Sequence, residues 1–492
     1  MAVTNPNGMG GLGPARVAGF FAGPAMAALM LAAGPPQGLS AAGWAAAAVV
    51  VLMAVWWMTE AVPMAITALL PLVLFPPLGI GDIETAARPY AHPLIFLFLG
   101  GFMLARAMER WRLNVRLALW VTRLGGERPD SVLASLMAAT AFLSMWVSNT
   151  ATTMVMLPIG QSMAAAMRGR LDAVSPGEGD KIAAAVMLGI AFSATIGGMG
   201  TLIGTPPNAL FAGFMEQTYG VQIGFARWMA IGVPTVLVLL PLTWALLTRF
   251  AFRLSPEAAR HGMAEARAGL EPAAAMSRGE KLVAAIMLAT AAAWLANPLI
   301  ARAFPGLGLS DAGIAVGAAL ALFLVPADWR KGEFLLSWAD ARTIRWDVLI
   351  LFGGGLALAQ AISDTGLAQW VSAGIGGFAQ LPAPVLILGV MAVIVLLGEL
   401  ASNTAMAAIF LPVAGAAAIG LGKEPMALTL PVAMAASLGF MLPVATPPNA
   451  IVFGSGAVTM RQMLRAGALL DVTCVLAVAL LVLTIGSLVF GL

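Results

Sequence analysis

Long apolar segments follow one another along almost the whole chain, and this feature restricts the possible folds more than any other. A helix of roughly 20 apolar residues crosses the hydrocarbon core of a bilayer. Of the 492 residues, 60% are hydrophobic and only 10% are charged. Because so little polar surface cannot keep a globular protein of this size in water, the sequence predicts an all-α polytopic membrane protein in a lipid bilayer.

About eleven segments are predicted to form transmembrane helices, and two longer segments are each long enough for two short helices. The predicted helices lie at 16–33, 41–58, 61–79, 94–109, 181–216, 228–249, 281–300, 310–326, 347–363, 426–456 and 464–490. The longer segments, 129–168 and 384–420, are predicted to be re-entrant hairpins that enter and leave on one side.

The positions of the cations support these hairpins. With them in place, all of the 26 Lys and Arg residues fall on one side except Arg88, Arg227, Arg302 and Lys423. The positive-inside tendency makes the cation-rich side cytoplasmic, with the amino terminus inside and the carboxyl terminus outside. Because the cations lie in topology-determining loops, their small excess over acidic residues predicts no nucleic-acid partner.

Two short polar motifs each occur twice, in the same order. Ser-Asn-Thr at 148–150 recurs at 402–404, and Thr-Pro-Pro-Asn at 205–208 recurs at 446–449. Chance similarity between Ala-, Gly- and Leu-rich helices would not easily produce both motifs twice. In the predicted topology the two halves cross the membrane in opposite directions, which makes them inverted repeats. Such repeats are typical of alternating-access transporters.

Each motif interrupts an apolar segment. Irregular backbone persists at membrane depth only where it is buried in protein or lines a cavity, so the four breaks are predicted to meet at one midplane site. A broken helix exposes N–H groups that attract carboxylates and carbonyls that attract sodium. Since the four breaks contain no Arg, Lys or His, an anionic substrate is predicted to need cations bound with it.

These four motifs, with the sequence WWMTEAVP at 56–63, resemble the divalent anion/sodium symporter family, the INDY-like di- and tricarboxylate transporters. The resemblance covers nearly the whole chain and implies an elevator-type homodimer in a bacterial inner membrane. It divides the chain into two scaffold parts, 1–128 and 251–383, and two transport parts, 129–250 and 384–492. Each transport part would contain one hairpin and one broken helix.

The resemblance also implies which residues bind each ligand. The substrate carboxylates would contact residues of both repeats, namely Asn149, Thr150, Thr205, Pro206, Ser402, Asn403, Thr404, Thr446 and Pro447. One sodium site would use Ser144, Ser148, Asn149 and the backbone near Gly204, and the other would use Gly398, Ala401, Asn403 and Ala445. Gly398 stands where a hydroxyl residue matching Ser144 is expected, so the second site is expected to depend more on backbone oxygens.

The residues and the resemblance together predict a sodium-coupled symporter of C4-dicarboxylates such as succinate, malate and fumarate. The alternatives are a sodium-independent dicarboxylate exchanger and a sulfate or tricarboxylate transporter of the same fold. The intact Ser144, Ser148 and Asn149 favour sodium coupling. An enzyme is not predicted, because His92 and His261, the two histidines, have no companions suited to metal binding or catalysis.

Two carboxylates in apolar sequence, Glu60 and Glu399, are candidates for proton carriers, but a structural role is favoured for each. Glu60 precedes Pro63 and is predicted to cap the start of a helix near the cytoplasmic face. Glu399 lies just before the tip of the second hairpin and is predicted to make structural hydrogen bonds. The segment 111–123 alternates Arg with apolar residues, which predicts an amphipathic helix at the membrane interface.

Overall fold

The computed structural model describes residues 13–123, 129–174, 177–253, 275–375 and 380–491. Within these ranges, nine helices are long and apolar enough to cross a membrane, and a two-stranded antiparallel sheet joins β1 (Pro326–Asp328) to β2 (Glu333–Phe334). The predicted all-α class is confirmed. The predicted boundary at residue 128 and the histidine His261 lie outside the described residues.

Among the described residues, the first half of the chain contains twelve α-helices. They are α1 (Pro14–Ala33), α2 (Ala41–Thr59), α3 (Met64–Thr67), α4 (Leu70–Leu74), α5 (Ile83–Ala87), α6 (Pro93–Arg110), α7 (Leu113–Arg123), α8 (Pro129–Ser144), α9 (Asn149–Val174), α10 (Glu178–Gly198), α11 (Pro206–Tyr219) and α12 (Phe225–Ala245). A π-helical turn, Leu246–Ala251, extends α12. The helix expected within 111–123 is present as α7.

The second half contains eleven helices among the described residues. They are α13 (Arg278–Ala303), α14 (Asp311–Leu324), α15 (Trp338–Ala341), α16 (Trp346–Asp364), α17 (Leu367–Ile375), α18 (Ala383–Gly398), α19 (Asn403–Gly420), α20 (Met426–Ala435), α21 (Pro447–Gly454), α22 (Met460–Leu481) and α23 (Ser487–Phe490). A π-helical segment, Val482–Gly486, joins the last two.

The prediction of one helix at 61–79 is wrong. The structure has two short helices there, α3 and α4, followed by turns. Pro71 has no amide hydrogen, and its ring clashes with the carbonyl four residues earlier in a continuous helix. That carbonyl belongs to Thr67, the residue at which α3 ends. The segment therefore breaks where the proline geometry requires it.

Both predicted hairpin segments form pairs of helices joined by short connections. Residues 145–148 separate α8 from α9, and residues 399–402 separate α18 from α19. The second arm of the first pair, α9, has 26 residues and is longer than the short helix predicted. Both predicted helix breaks are also present, between α10 and α11 and between α20 and α21. In each case a proline begins the second helix, a position where its missing N–H costs nothing.

Glycines allow close helix contacts between the two halves of the chain. Gly100 of α6 packs against the backbone of Ala315 in α14, and Gly354 of α16 packs against the backbone of Ala68. A Cβ atom at either glycine would overlap its neighbour, so these contacts require small residues, as is common in membrane proteins. Phe98 and Phe352 each lie two residues before one of these glycines. Their rings meet edge to face, with centroids 4.9 Å apart.

Candidate functional site

One cavity of about 450 Å³ receives both hairpin tips and both helix breaks. All nine residues predicted to contact substrate line this cavity, namely Asn149, Thr150, Thr205, Pro206, Ser402, Asn403, Thr404, Thr446 and Pro447. The structure thus brings together four segments that are far apart in the sequence. The binding roles of the individual residues remain predictions.

The residues predicted to bind sodium divide into two groups. Those that line the cavity are Ser148, Asn149, Gly204, Asn403 and Ala445. Ser144, Gly398 and Ala401 are buried behind the tips and are not among the lining residues. An ion at either position would therefore lie between the cavity and the protein interior.

Ser144 and Asn149 bring oxygen atoms together at the first hairpin tip. Ser144 Oγ lies 2.7 Å from Asn149 Oδ1 and 2.6 Å from the carbonyl oxygen of Ala194. The Asn149 amide also packs directly on Gly198, where a Cβ atom would come within 3.0 Å of it. Clustered hydroxyl, amide and carbonyl oxygens are the ligands that hard cations prefer.

The two Thr-Pro-Pro-Asn motifs hold their helix breaks with the same hydrogen bonds. Asn208 Nδ2 donates to the carbonyls of Gly198 at 3.1 Å and Thr201 at 2.7 Å. Asn449 Nδ2 makes the equivalent bonds in the second half, to Gly439 at 3.3 Å and Leu442 at 3.0 Å.

Both asparagines are completely buried. Their amide groups satisfy carbonyls that the broken helices leave without partners. No such role was predicted for these asparagines, although their duplication in the sequence was a visible signal.

The two halves differ in how the hairpin tip is tied to the helix break. In the first half, the Thr201 hydroxyl donates to the carbonyl of Met145 and accepts from the amide of Gly204. In the second half, Leu442 takes the place of Thr201, and the carboxylate of Glu399 accepts from the amides of Met441 and Leu442 at 3.0 and 2.8 Å. The predicted structural hydrogen bonding of Glu399 is confirmed.

Asn403 differs from its counterpart Asn149 because no hydroxyl residue stands at position 398. Its Oδ1 atom is buried and has no hydrogen-bond partner among the described residues. A buried acceptor without a partner costs about 1–3 kcal/mol. A cation at this oxygen would remove that cost, and the environment of Asn403 therefore fits the predicted ion.

A known family matches almost the whole chain. A family model described as the sodium:sulfate symporter transmembrane region matches residues 15–492. The chain belongs to this family. The predicted relationship to the divalent anion/sodium symporters is confirmed.

Relatives in this family include proteins named sodium-dependent dicarboxylate transporter SdcS. The protein from Staphylococcus saprophyticus is 38% identical over 470 residues, which cover 95% of this chain and 91% of the relative. The protein from Staphylococcus aureus strain USA300 is 38% identical over 479 residues, covering 97% and 92%.

Two solved structures share the fold at low sequence identity. The YdaH transporter of Alcanivorax borkumensis has a TM-score of 0.56 and 15% identity, with 97% of this chain and 98% of that chain covered. MtrF of Neisseria gonorrhoeae, whose structure is described as illuminating a class of antimetabolite efflux pumps, has a TM-score of 0.54 and 13% identity, with coverage of 96% and 95%.

The charged residues at the rim of this family member's cavity were not predicted to line it. Glu60, Arg345 and Asp347 line the cavity together with the four motifs. The prediction that Glu60 caps a helix start is wrong, because Glu60 lies at the end of α2 in a left-handed conformation with φ 47°. Its carboxylate instead pairs with Arg16 at 2.8 Å. Only folding places α2 beside the start of α16, so no local pattern indicated this rim.

Proposed function

We propose that this protein is a sodium-coupled symporter of C4-dicarboxylates. The observation that carries the proposal is the convergence of both Ser-Asn-Thr tips and both Thr-Pro-Pro-Asn breaks on one cavity. Relatives that this chain matches over nearly their full length are named sodium-dependent dicarboxylate transporters. A cavity of about 450 Å³ also has room for a small diacid.

Helix amino termini supply the attraction for an anion. Four helices, α9, α11, α19 and α21, begin at residues that line the cavity, namely Asn149, Pro206, Asn403 and Pro447. The amino terminus of a helix carries a partial positive charge and N–H groups without intrahelical partners. Four such termini, two from each repeat, suit a ligand with a carboxylate at each end.

Sodium supplies the remaining positive charge in this proposal. One ion binds at Ser144, Ser148, Asn149 and the backbone of Gly204, and the second binds at Asn403 and the backbone of Gly398, Ala401 and Ala445. Each asparagine then contacts an ion through its oxygen and the substrate through its NH₂ group. Because cation and anion stabilise each other across the shared asparagine, binding of one raises the affinity for the other.

Transport follows an elevator movement in a homodimer built from inverted repeats. The parts 129–250 and 384–492 move against the scaffold parts 1–128 and 251–383. The contacts across this division include an apolar one at Gly355 of α16, where an added Cβ atom would lie 3.3 Å from Leu210 Cδ2 and 3.4 Å from Ala408 Cβ; with no side chain at Gly355, neither residue interlocks with α16 there. Gln217 Nε2 of α11 also donates to Gln360 Oε1 at 3.1 Å and to the carbonyl of Leu356 at 3.3 Å, both in α16, and water can replace both acceptors.

The position of the charged rim indicates how the protein is oriented in the membrane. The rim lies on the predicted cytoplasmic side, where Arg16 and the cation-rich loop before α16 are placed by the positive-inside tendency. The cavity therefore opens inward, with the amino terminus in the cytoplasm and the carboxyl terminus outside. The protein acts in the inner membrane and changes no covalent bond of its substrate.

Arg345 is the specific observation that favours the alternative, a sodium-independent exchanger. A fixed cation at the cavity could take the place of sodium. However, the Arg345 guanidinium already makes a bidentate pair with the Asp347 carboxylate, at 2.9 Å from Nε to Oδ1 and 2.8 Å from Nη2 to Oδ2. Since that pair carries no net charge, sodium is still required to neutralise a dianion.

Uptake of radiolabelled succinate into proteoliposomes tests the proposal. Uptake is expected with an inward sodium gradient and is expected to disappear when choline replaces sodium. Equal uptake in both conditions would support the exchanger, and uptake of sulfate without succinate would reject the substrate assignment. The matched control is the double variant Asn149→Ala/Asn403→Ala, which retains the helices but lacks both bridging amides.

A further inference from the structure

The rim of the cavity carries two acidic side chains and one basic side chain among its described lining residues. These are Glu60, Asp347 and Arg345. Their side chains are 49%, 54% and 49% exposed, whereas Thr205 and Thr446 of the motifs, which line the same cavity, are each 3% exposed. An anion that moves between bulk water and the motifs therefore passes these three charges.

Pairing limits what the one rim cation offers to an anion. Two of the guanidinium nitrogens of Arg345 are bonded to Asp347, and Arg16, the partner of Glu60, is not among the lining residues. Each rim carboxylate is thus paired with a cation, Glu60 with Arg16 and Asp347 with Arg345, so the rim carries no net charge and neither cation is free to bind an anion. Such a rim gives no net attraction to the additional charge of a larger anion.

On the basis of the proposed dicarboxylate transport, we infer that Glu60 and Asp347 are specificity-determining residues that exclude tricarboxylate trianions. A dianion is neutralised by the sodium ions at the base of the cavity and has no third carboxylate. A tricarboxylate places its additional charge toward the rim, where Asp347 both repels it and withholds Arg345 from it. The rim thus selects by charge, while the four motifs select by shape.

The size of the effect follows from Coulomb's law. Two unit charges about 5–10 Å apart in a water-like dielectric change a binding constant by about two- to fourfold. Removing one rim charge should therefore change the affinity for a trianion relative to a dianion by about two- to fourfold. The change should be smaller at high ionic strength, because the rim is open to solvent.

Three rim variants and one control test the inference. Asp347→Asn releases Arg345, Glu60→Gln removes the other negative charge, and Arg345→Gln leaves Asp347 unpaired. The control, Glu84→Gln, makes the same chemical change at an exposed residue outside the cavity. Citrate and unlabelled succinate are used to displace radiolabelled succinate from purified protein in detergent with sodium, where both faces of the protein are accessible.

The measured quantity is the citrate affinity divided by the succinate affinity. It is expected to rise about two- to fourfold in Asp347→Asn and Glu60→Gln, to fall in Arg345→Gln, and to stay unchanged in Glu84→Gln. In mildly acidic buffer citrate takes up a proton and becomes a dianion, so the differences should shrink. Damage to the fold cannot produce this pattern, because two of the variants break the same ion pair with opposite results.

A ratio that moves in the same direction in Asp347→Asn and Arg345→Gln would overturn the inference, and so would a ratio that none of the variants changes. Failure of the proposed function has a different signature. In that case the wild-type protein itself would show no sodium-dependent succinate binding, whatever the rim variants do.

Discussion

Gly198→Ala should disable the first sodium site while its repeat counterpart, Gly439→Ala, should be tolerated. A Cβ atom at Gly198 would lie inside 3.0 Å of Asn149 Oδ1, 3.0 Å from Nδ2 and 3.1 Å from Cγ. A Cβ atom at Gly439 would have only ordinary contacts, 3.5 Å to Ala445 Cβ and 4.0 Å to Asn403 Oδ1. The same substitution is thus a clash in one repeat and a normal contact in the other.

The expected magnitude follows from the bonds that Asn149 must give up. To admit the new methyl group, its amide must move by roughly half an ångström or more, which takes Oδ1 out of hydrogen-bond range of Ser144 Oγ, now 2.7 Å away. The displaced Asn149 Oδ1 would also lose its proposed contact with the sodium ion. Losing an interaction with a charged partner costs about 1.5–3 kcal/mol. This cost corresponds to a loss of sodium affinity of about ten- to hundredfold.

Sodium titration of labelled succinate uptake measures this effect in both variants. Half-maximal uptake should require about ten- to hundredfold more sodium in Gly198→Ala and nearly the wild-type concentration in Gly439→Ala. Loss of helix propensity cannot explain a defect, because alanine favours the helix more than glycine does. Wild-type sodium dependence in Gly198→Ala, or equal defects in both variants, would refute the proposed role of Asn149.

Three further predictions concern the substrate contacts and one surface charge. Asn149→Ala and Asn403→Ala should each abolish succinate uptake by purified, reconstituted protein without preventing membrane insertion; wild-type uptake by either would exclude its bridging role. Butyrate should compete with succinate about ten- to hundredfold less well than malate does, because it leaves one set of donors unpaired; equal competition would exclude two-ended recognition. Burial alone would raise the pKa of Asp340, but hydrogen bonds from Ser337 and the charge on Arg110 hold the pKa below its usual value. The carboxylate therefore stabilises the fold above about pH 4, and this stabilisation is lost as the pH falls through the lowered pKa. Asp340→Asn should lower the melting temperature at neutral pH but not in strong acid, and a difference that persists in acid would contradict this assignment.

The parts of the site that repeat in the sequence were predictable. A polar motif that breaks an apolar segment must be buried or must line a cavity, and two copies of two motifs indicated a shared site. The residues at 148–150, 205–206, 402–404 and 446–447 therefore lie around one cavity, as the patterns indicated.

The contacts between distant segments were not predictable in the same way. Glu60 and Arg345 are close to the motifs only because α2 and the start of α16 pack at the cavity. The division of 61–79 into two helices depended on Pro71, a residue that membrane helices often tolerate. Hydropathy alone does not separate a tolerated proline from one that ends a helix.

The sodium dependence of wild-type succinate uptake tests the central claim most directly, because each repeat is proposed to bind its own ion beside its own asparagine. Proteoliposomes are loaded without sodium, and the initial rate of uptake is measured as external sodium replaces choline at constant ionic strength. No uptake is expected without sodium, and the Hill slope is expected to be clearly above one. A slope of one would contradict the second sodium site, and uptake that is indifferent to sodium would contradict the whole coupling mechanism.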